Sequence, residues 1–109
     1  MFHSSVPTVD VASVPADGVL LDVREQDEWE AGHASGAVHI PMSEFVARIG
    51  ELPEAEPLYV VCRVGGRSAQ VVQYLVAQGR EALNVDGGMF AWEAAGRGLV
   101  SAQGEAFVL

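Results

Sequence analysis

The chain has 109 residues, half of them hydrophobic and 19 % charged, which suits one domain burying roughly 60 to 70 % of its unfolded surface and excludes a disordered chain. Fifteen acids face six bases, all of them arginine, for a formal charge of −9; this balance argues against nucleic acid or an anionic membrane as a partner. A lone cysteine without zinc-ligand spacing excludes an internal disulfide or structural zinc, no apolar run reaches the ~18 residues of a membrane span, and Met1-Phe2-His3-Ser4-Ser5 lacks the pattern of a secretory leader.

A soluble cytoplasmic protein is therefore expected, with one domain over residues 1–109. Leu20-Leu21-Asp22-Val23 follows the turn signal Asp17-Gly18 and predicts a short buried strand. Glu25 to Ala31, with acids near the start and Gly32 as a stop, predicts a short helix. Ala37 to Pro41 reads as a second strand. Ser43 is expected to cap a helix that places Val46 and Ile49 on one face and ends at Gly50. Glu51 to Pro57 is loop-like. Leu58-Tyr59-Val60-Val61 is apolar throughout, as a strand covered on both faces should be. From Ser68, the spacing of Val71, Val72, Leu75 and Val76 predicts a helix stopped by Gly79. Ala82 to Val85 predicts a further strand, Gly87-Gly88 a turn, and Met89 to Ala95 a helix ending at Gly96. Residues 99–109 suit either an edge strand or a tail.

Strands alternating with helices imply parallel pairing and an α/β sandwich. Ligands of such sheets bind beyond the carboxyl ends of the strands, which is where Cys62 falls. The stretch Cys62-Arg63-Val64-Gly65-Gly66-Arg67-Ser68 combines a strand end, two glycines, two arginines and a helix start. Glycines allow the backbone to curl until successive N–H groups face one point, and the helix N-terminus adds its own free N–H groups and partial positive charge. These are the settings that lower a thiol's pKa. A buried small hydrophobe is the alternative for a lone cysteine, but such a filler needs neither the arginines nor the glycines.

The same stretch resembles the active-site loop of single-domain rhodaneses, sulfurtransferases whose cysteine carries a persulfide. Leu21-Asp22-Val23-Arg24, Glu28-Trp29, Gly32-His33, Gly36-Ala37 and Ile40-Pro41 are similar to that family's N-terminal signature, and Gly87-Gly88, Ala91-Trp92 and Gly96 to its C-terminal one. The motifs lie within about residues 18–98. Ala34 departs from the larger aliphatic residue usual after Gly-His. The resemblance implies a rhodanese-like three-layer sandwich with a mainly parallel central sheet of about five strands flanked by helices. Four residues separate Cys62 from Arg67, whereas the related phosphatases have five; by resemblance, the shorter loop favours sulfur transfer over phosphatase or arsenate reductase activity.

The resemblance further implies that Cys62 is the nucleophile and that the loop residues Arg63, Val64, Gly65, Gly66, Arg67 and Ser68 bind the substrate. The donor would be thiosulfate or a similar small anion, and the acceptor cyanide, a thiol or a protein cysteine. No metal or organic cofactor is expected, only a covalent persulfide. Asp22 and Arg24 are expected to brace the loop. His33, His39, Trp29 and Trp92 are expected to be structural. Two readings stay open, a free-standing enzyme and a relay module loaded by a partner protein.

Overall fold

The computed structural model describes residues 6–109; the opening five, read above for a leader, lie outside the described residues. Five strands form one sheet: β1 Thr8–Val9, β2 Val19–Asp22, β3 Val38–His39, β4 Leu58–Val61 and β5 Ala82–Val85, in the order β1-β5-β4-β2-β3. Every pairing is parallel. Helix α1 Gln26–Ala31 lies between β2 and β3 and α2 Gly66–Ala77 between β4 and β5, in the long connections that parallel strands need, and α3 Gly88–Ala94 follows β5. Among the described residues, no helix is long and apolar enough to cross a membrane.

The core divides by the twofold alternation of strand side chains. Leu21, Leu58, Val60 and Cys62 face one side, packed with Val71, Val72 and Leu75 of α2 and with Phe45. Leu20, Val61 and Val85 face the other, packed with Met89 and Trp92 of α3. Cys62 lies two positions after Val60, so the strand period sets its side chain toward α2.

Several boundaries differ from expectation. β1 was not anticipated; it adds to β5 through Thr8 opposite Asn84 and Val9 opposite Val85. β2 begins one residue earlier than predicted, and β3 is only two residues long. The helix expected over 43–50 does not form: 3-10 turns over Met42–Glu44 and Ile49–Glu51 take its place. Ser43 does not cap it, because its hydroxyl donates to Glu25 Oε1 at 2.7 Å. Val46 is 77 % exposed, and the inward anchors are Phe45 and Ile49. In α2 the buried stripe is Ser68, Val71, Val72 and Leu75, leaving Val76 outside.

Residues 99–109 are neither a regular edge strand nor a loose tail. Val100 forms a single antiparallel bridge with His33, and the Phe107 amide donates to the Ala31 carbonyl at 3.0 Å. That approach explains Gly32, where a Cβ would lie 2.4 Å from the Phe107 carbonyl oxygen.

Leu58 is fully buried between β2 and β5. Leu58→Ala should lower unfolding free energy by about 2 to 5 kcal/mol, read as a lower urea midpoint with little change in slope; a loss well under 1 kcal/mol would contradict this packing.

Candidate active site

The loop between β4 and α2 turns on Gly65, whose φ of 118° lies in the left-handed region that disfavours a side chain. That turn brings the chain back over Cys62. The Gly65 amide donates to Cys62 Sγ at 3.0 Å and the Ser68 hydroxyl lies 3.3 Å from it. Gly66 is already helical, and a Cβ there would meet nothing within 4 Å. Cys62 itself is only 1 % exposed. Burial pushes the thiol's pKa up, but the Ser68 hydroxyl and the amides of Ser68, Gly65 and Val64 outweigh it, and the net direction is down. The sulfur thus has the surroundings of a stabilised thiolate.

A second clamp comes from α3. The amides of Met89 and Phe90 donate to the carbonyls of Cys62 and Arg63 at 2.8 and 2.9 Å. Gly87 and Gly88 turn the chain into that helix with φ of 76° and 54°, and a Cβ on Gly88 would lie 2.4 Å from the Cys62 carbonyl oxygen. The paired glycines are a tight helix entry, as expected, and they also allow α3 to approach the backbone that follows the cysteine. Their signal lay in the sequence as Gly87-Gly88, but the partner carbonyls could not be read from it.

The structure does not set the guanidinium groups of the two loop arginines against the sulfur. Arg67 forms a bidentate pair with Glu28, its Nη1 and Nη2 donating to Oε1 and Oε2 at 2.7 and 2.8 Å. Arg63 Nε donates to the Leu109 carbonyl at 2.9 Å and its guanidinium lies 5.9 Å from the centre of the Phe90 ring. Val64 is 54 % exposed, and Phe90, whose amide holds the Arg63 carbonyl, is 55 % exposed.

Asp22 and Arg24 are both fully buried and pair at 2.7 Å. Arg24 also donates to the carbonyls of Glu28 and Gly32 at 3.2 and 2.8 Å. They therefore brace α1, and reach the loop only through Glu28 and Arg67. Glu28 entered the sequence reading only as part of a motif; its partner lies 39 positions away. Trp29 stacks on His33 and His39 at 3.6 and 4.5 Å between ring centres, and those histidines donate to the Trp29 and Arg24 carbonyls. Trp92 is buried and its indole N–H donates to the Gly98 carbonyl at 3.1 Å. Asn84, not anticipated at all, lies 2.6 Å from the Ser68 hydroxyl. Among the described residues no cluster of three or more His, Cys, Asp or Glu side chains is placed to hold a metal ion.

The Rhodanese-like domain family model matches residues 10–95. The chain is 38 % identical over 96 residues to YrkF of Bacillus subtilis, which carries the provisional name of a sulfur carrier protein; the match covers 82 % of this chain and 52 % of YrkF, so the chain spans about half of that relative. It is 35 % identical over 89 residues to an Allochromatium vinosum protein named a sulfurtransferase, covering 81 % of this chain and 83 % of that protein. A crystal structure of a rhodanese-related protein from Thermoplasma volcanium superposes with a TM-score of 0.81 at 29 % identity, over 86 % of this chain and 97 % of that one.

Arg67 holds the Glu28 carboxyl well below its ordinary range, at about 2 rather than 4.5. A depressed carboxyl pKa stabilises the fold above the ordinary value, and that stabilisation is lost as pH falls toward the folded one. Glu28→Gln should therefore flatten the acid limb of stability between pH 4.5 and about 2, by a modest amount because the guanidinium is 34 % exposed to solvent; an unchanged profile in a pH-dependent urea titration would contradict the pair. Gly88→Ala should slow alkylation of Cys62 by at least about tenfold, since a shift of the loop carbonyls misaligns the amides around the sulfur.

Proposed function

As the chain belongs to the rhodanese-like domain family, we propose that it is a sulfurtransferase that carries sulfane sulfur as a persulfide on Cys62. The observation that carries this reading is the sulfur held in a ring of donors, 3.0 Å from the Gly65 amide and 3.3 Å from the Ser68 hydroxyl, at the carboxyl end of the central strand. The reaction is a double displacement. The Cys62 thiolate attacks the outer sulfur of thiosulfate or a similar donor; the new bond joins the two sulfur atoms, and the donor's S–S bond breaks with its electron pair leaving on sulfite. A thiophilic acceptor, such as cyanide, a thiol or a protein cysteine, then bonds to the outer sulfur, and the electron pair of the broken persulfide bond returns to Cys62.

The amides of Val64, Gly65 and Ser68, already turned to the sulfur, stabilise the anion at both stages, and those of Gly66 and Arg67 complete the loop that receives the donor. Arg67, neutralised by Glu28, acts mainly through the shape of the rim, and Arg63 meets the donor by leaving the Leu109 carbonyl. The route needs no metal or organic cofactor and suits the cytoplasm, where thiols stay reduced. The acidic exterior slows an anionic donor at low salt, and added salt relieves that repulsion.

A second reading, a relay module charged by a partner protein, is favoured by the exposed Val64 and Phe90 beside the loop, since apolar side chains at a mouth suit a protein surface better than a hydrated anion. The provisional name of YrkF points the same way. Intact mass after incubation with thiosulfate tests both readings. Gain of one sulfur atom, reversed by cyanide and absent in Cys62→Ser, is the result expected of the enzyme. An adduct formed only with a persulfide-carrying protein favours the relay, and no adduct with either sinks sulfur transfer.

A further inference from the structure

The Ser68 hydroxyl has one proton and three acceptors in reach. Asn84 Oδ1 lies at 2.6 Å, the Gly65 carbonyl oxygen at 3.2 Å and Cys62 Sγ at 3.3 Å. Ser68, Asn84 and Cys62 are all buried, so bulk solvent does not freely replace a missing partner. The Asn84 amide is oriented by its other end: Nδ2 donates to the Gly65 carbonyl at 3.3 Å. Turned over, it would set one carbonyl oxygen against another. Its Oδ1 therefore faces Ser68, where it can only accept.

We propose that Asn84 is a positioning residue that holds the Ser68 hydroxyl while the cysteine sulfur is uncharged and yields it to Sγ when that sulfur becomes an anion. The proposal rests on Cys62 as the sulfur-carrying nucleophile. In the loaded state the negative charge resides on the outer sulfur, Sγ is neutral, and the hydroxyl points to Asn84. When the acceptor bonds to the outer sulfur, the electron pair of the persulfide bond passes to Sγ. A hydrogen bond to an anion is stronger than one to a neutral acceptor, so the hydroxyl turns to the sulfur. No proton is transferred, because only the direction of the O–H bond changes. The turn leaves Oδ1 without a donor in a buried place, which is unfavourable. Asn84 thus opposes the bare thiolate, Ser68 favours it, and the influence of Asn84 passes through Ser68.

The charged groups around the sulfur are Arg67 of α2, paired with Glu28 of α1, Arg63 of the loop, held by the Leu109 carbonyl, and the closed Asp22 and Arg24 pair at the end of β2. They are common to the variants compared and cancel between them.

The test is the rate of Cys62 alkylation by iodoacetamide across pH in the full chain, with folding checked by thermal melting. On the acid side of the profile, Ser68→Ala should slow alkylation roughly three- to tenfold and Asn84→Leu should speed it by a similar factor, the worth of one net hydrogen bond. In the Ser68→Ala background, Asn84→Leu should change nothing further. If the leucine variant does not fold, Asn84→Val, compatible with a strand, is read in the same way. An unchanged or slower profile for the folded Asn84 variant overturns the proposal, and so does an acceleration that persists without the Ser68 hydroxyl. Alkylation needs no sulfur donor, so this coupling with no adduct from either thiosulfate or a persulfide-carrying protein would sink the transfer reading alone, and an adduct without the coupling would sink the role of Asn84 alone.

Discussion

The two hydrogen bonds from the Met89 and Phe90 amides to the Cys62 and Arg63 carbonyls tie the start of α3 to the end of β4. The rest of the site is built on that tie. It requires a glycine at 88, because the Cys62 carbonyl occupies the space of a side chain there. It also joins the two faces of the sheet, since Met89 belongs to the core under α3 while Cys62 belongs to the core under α2. With its carbonyls held from one side, the loop can present its amides to the sulfur on the other. A peptide plane has its N–H and C=O on opposite edges, so anchoring one edge aims the other.

Charge is organised with similar economy. Every arginine in this acidic chain has a specific partner: Arg24 with Asp22, Arg48 with Glu44 and Glu51, Arg67 with Glu28, Arg80 with Glu56, Arg63 with the Leu109 carbonyl, and Arg97 with the Val11 and Val14 carbonyls and the Trp92 ring. Planar, multidentate and stacked contacts of this kind suit a guanidinium and not an ammonium group, which accounts physically for arginine wherever the chain needs a cation. The series Asp22, Arg24, α1, Glu28 and Arg67 runs from the buried end of β2 to the rim of the cysteine loop, alternating in sign.

What the sequence made legible follows from locality. Leu58–Val61 and Ala82–Val85 form strands at the expected residues, because each is an apolar run bounded by turn signals. The cysteine loop was equally clear, since its glycines and helix start are contiguous. β1 was hidden because two residues between Pro7 and Asp10 show no periodicity, and only pairing with β5 makes them a strand. The helix expected at 43–50 failed for a non-local reason, the capture of its intended cap, Ser43, by Glu25. α2 begins at Gly66 because Gly65 makes the turn, two residues ahead of Ser68, where the expected helix began. Glu28 and Asn84 reach the site from 39 and 16 positions away, distances at which no spacing rule operates.

The depth of the sulfur has a consequence for reach. Bare Cys62 is almost sealed, at 1 % exposure, so a bulky disulfide has no line of approach to it and two copies of the chain cannot readily cross-link through it. A second sulfur would stand about 2 Å further along the bond. On the proposed chemistry, length alone would separate cargo from carrier, the empty thiol shielded from bulky oxidants and the outer sulfur standing further out.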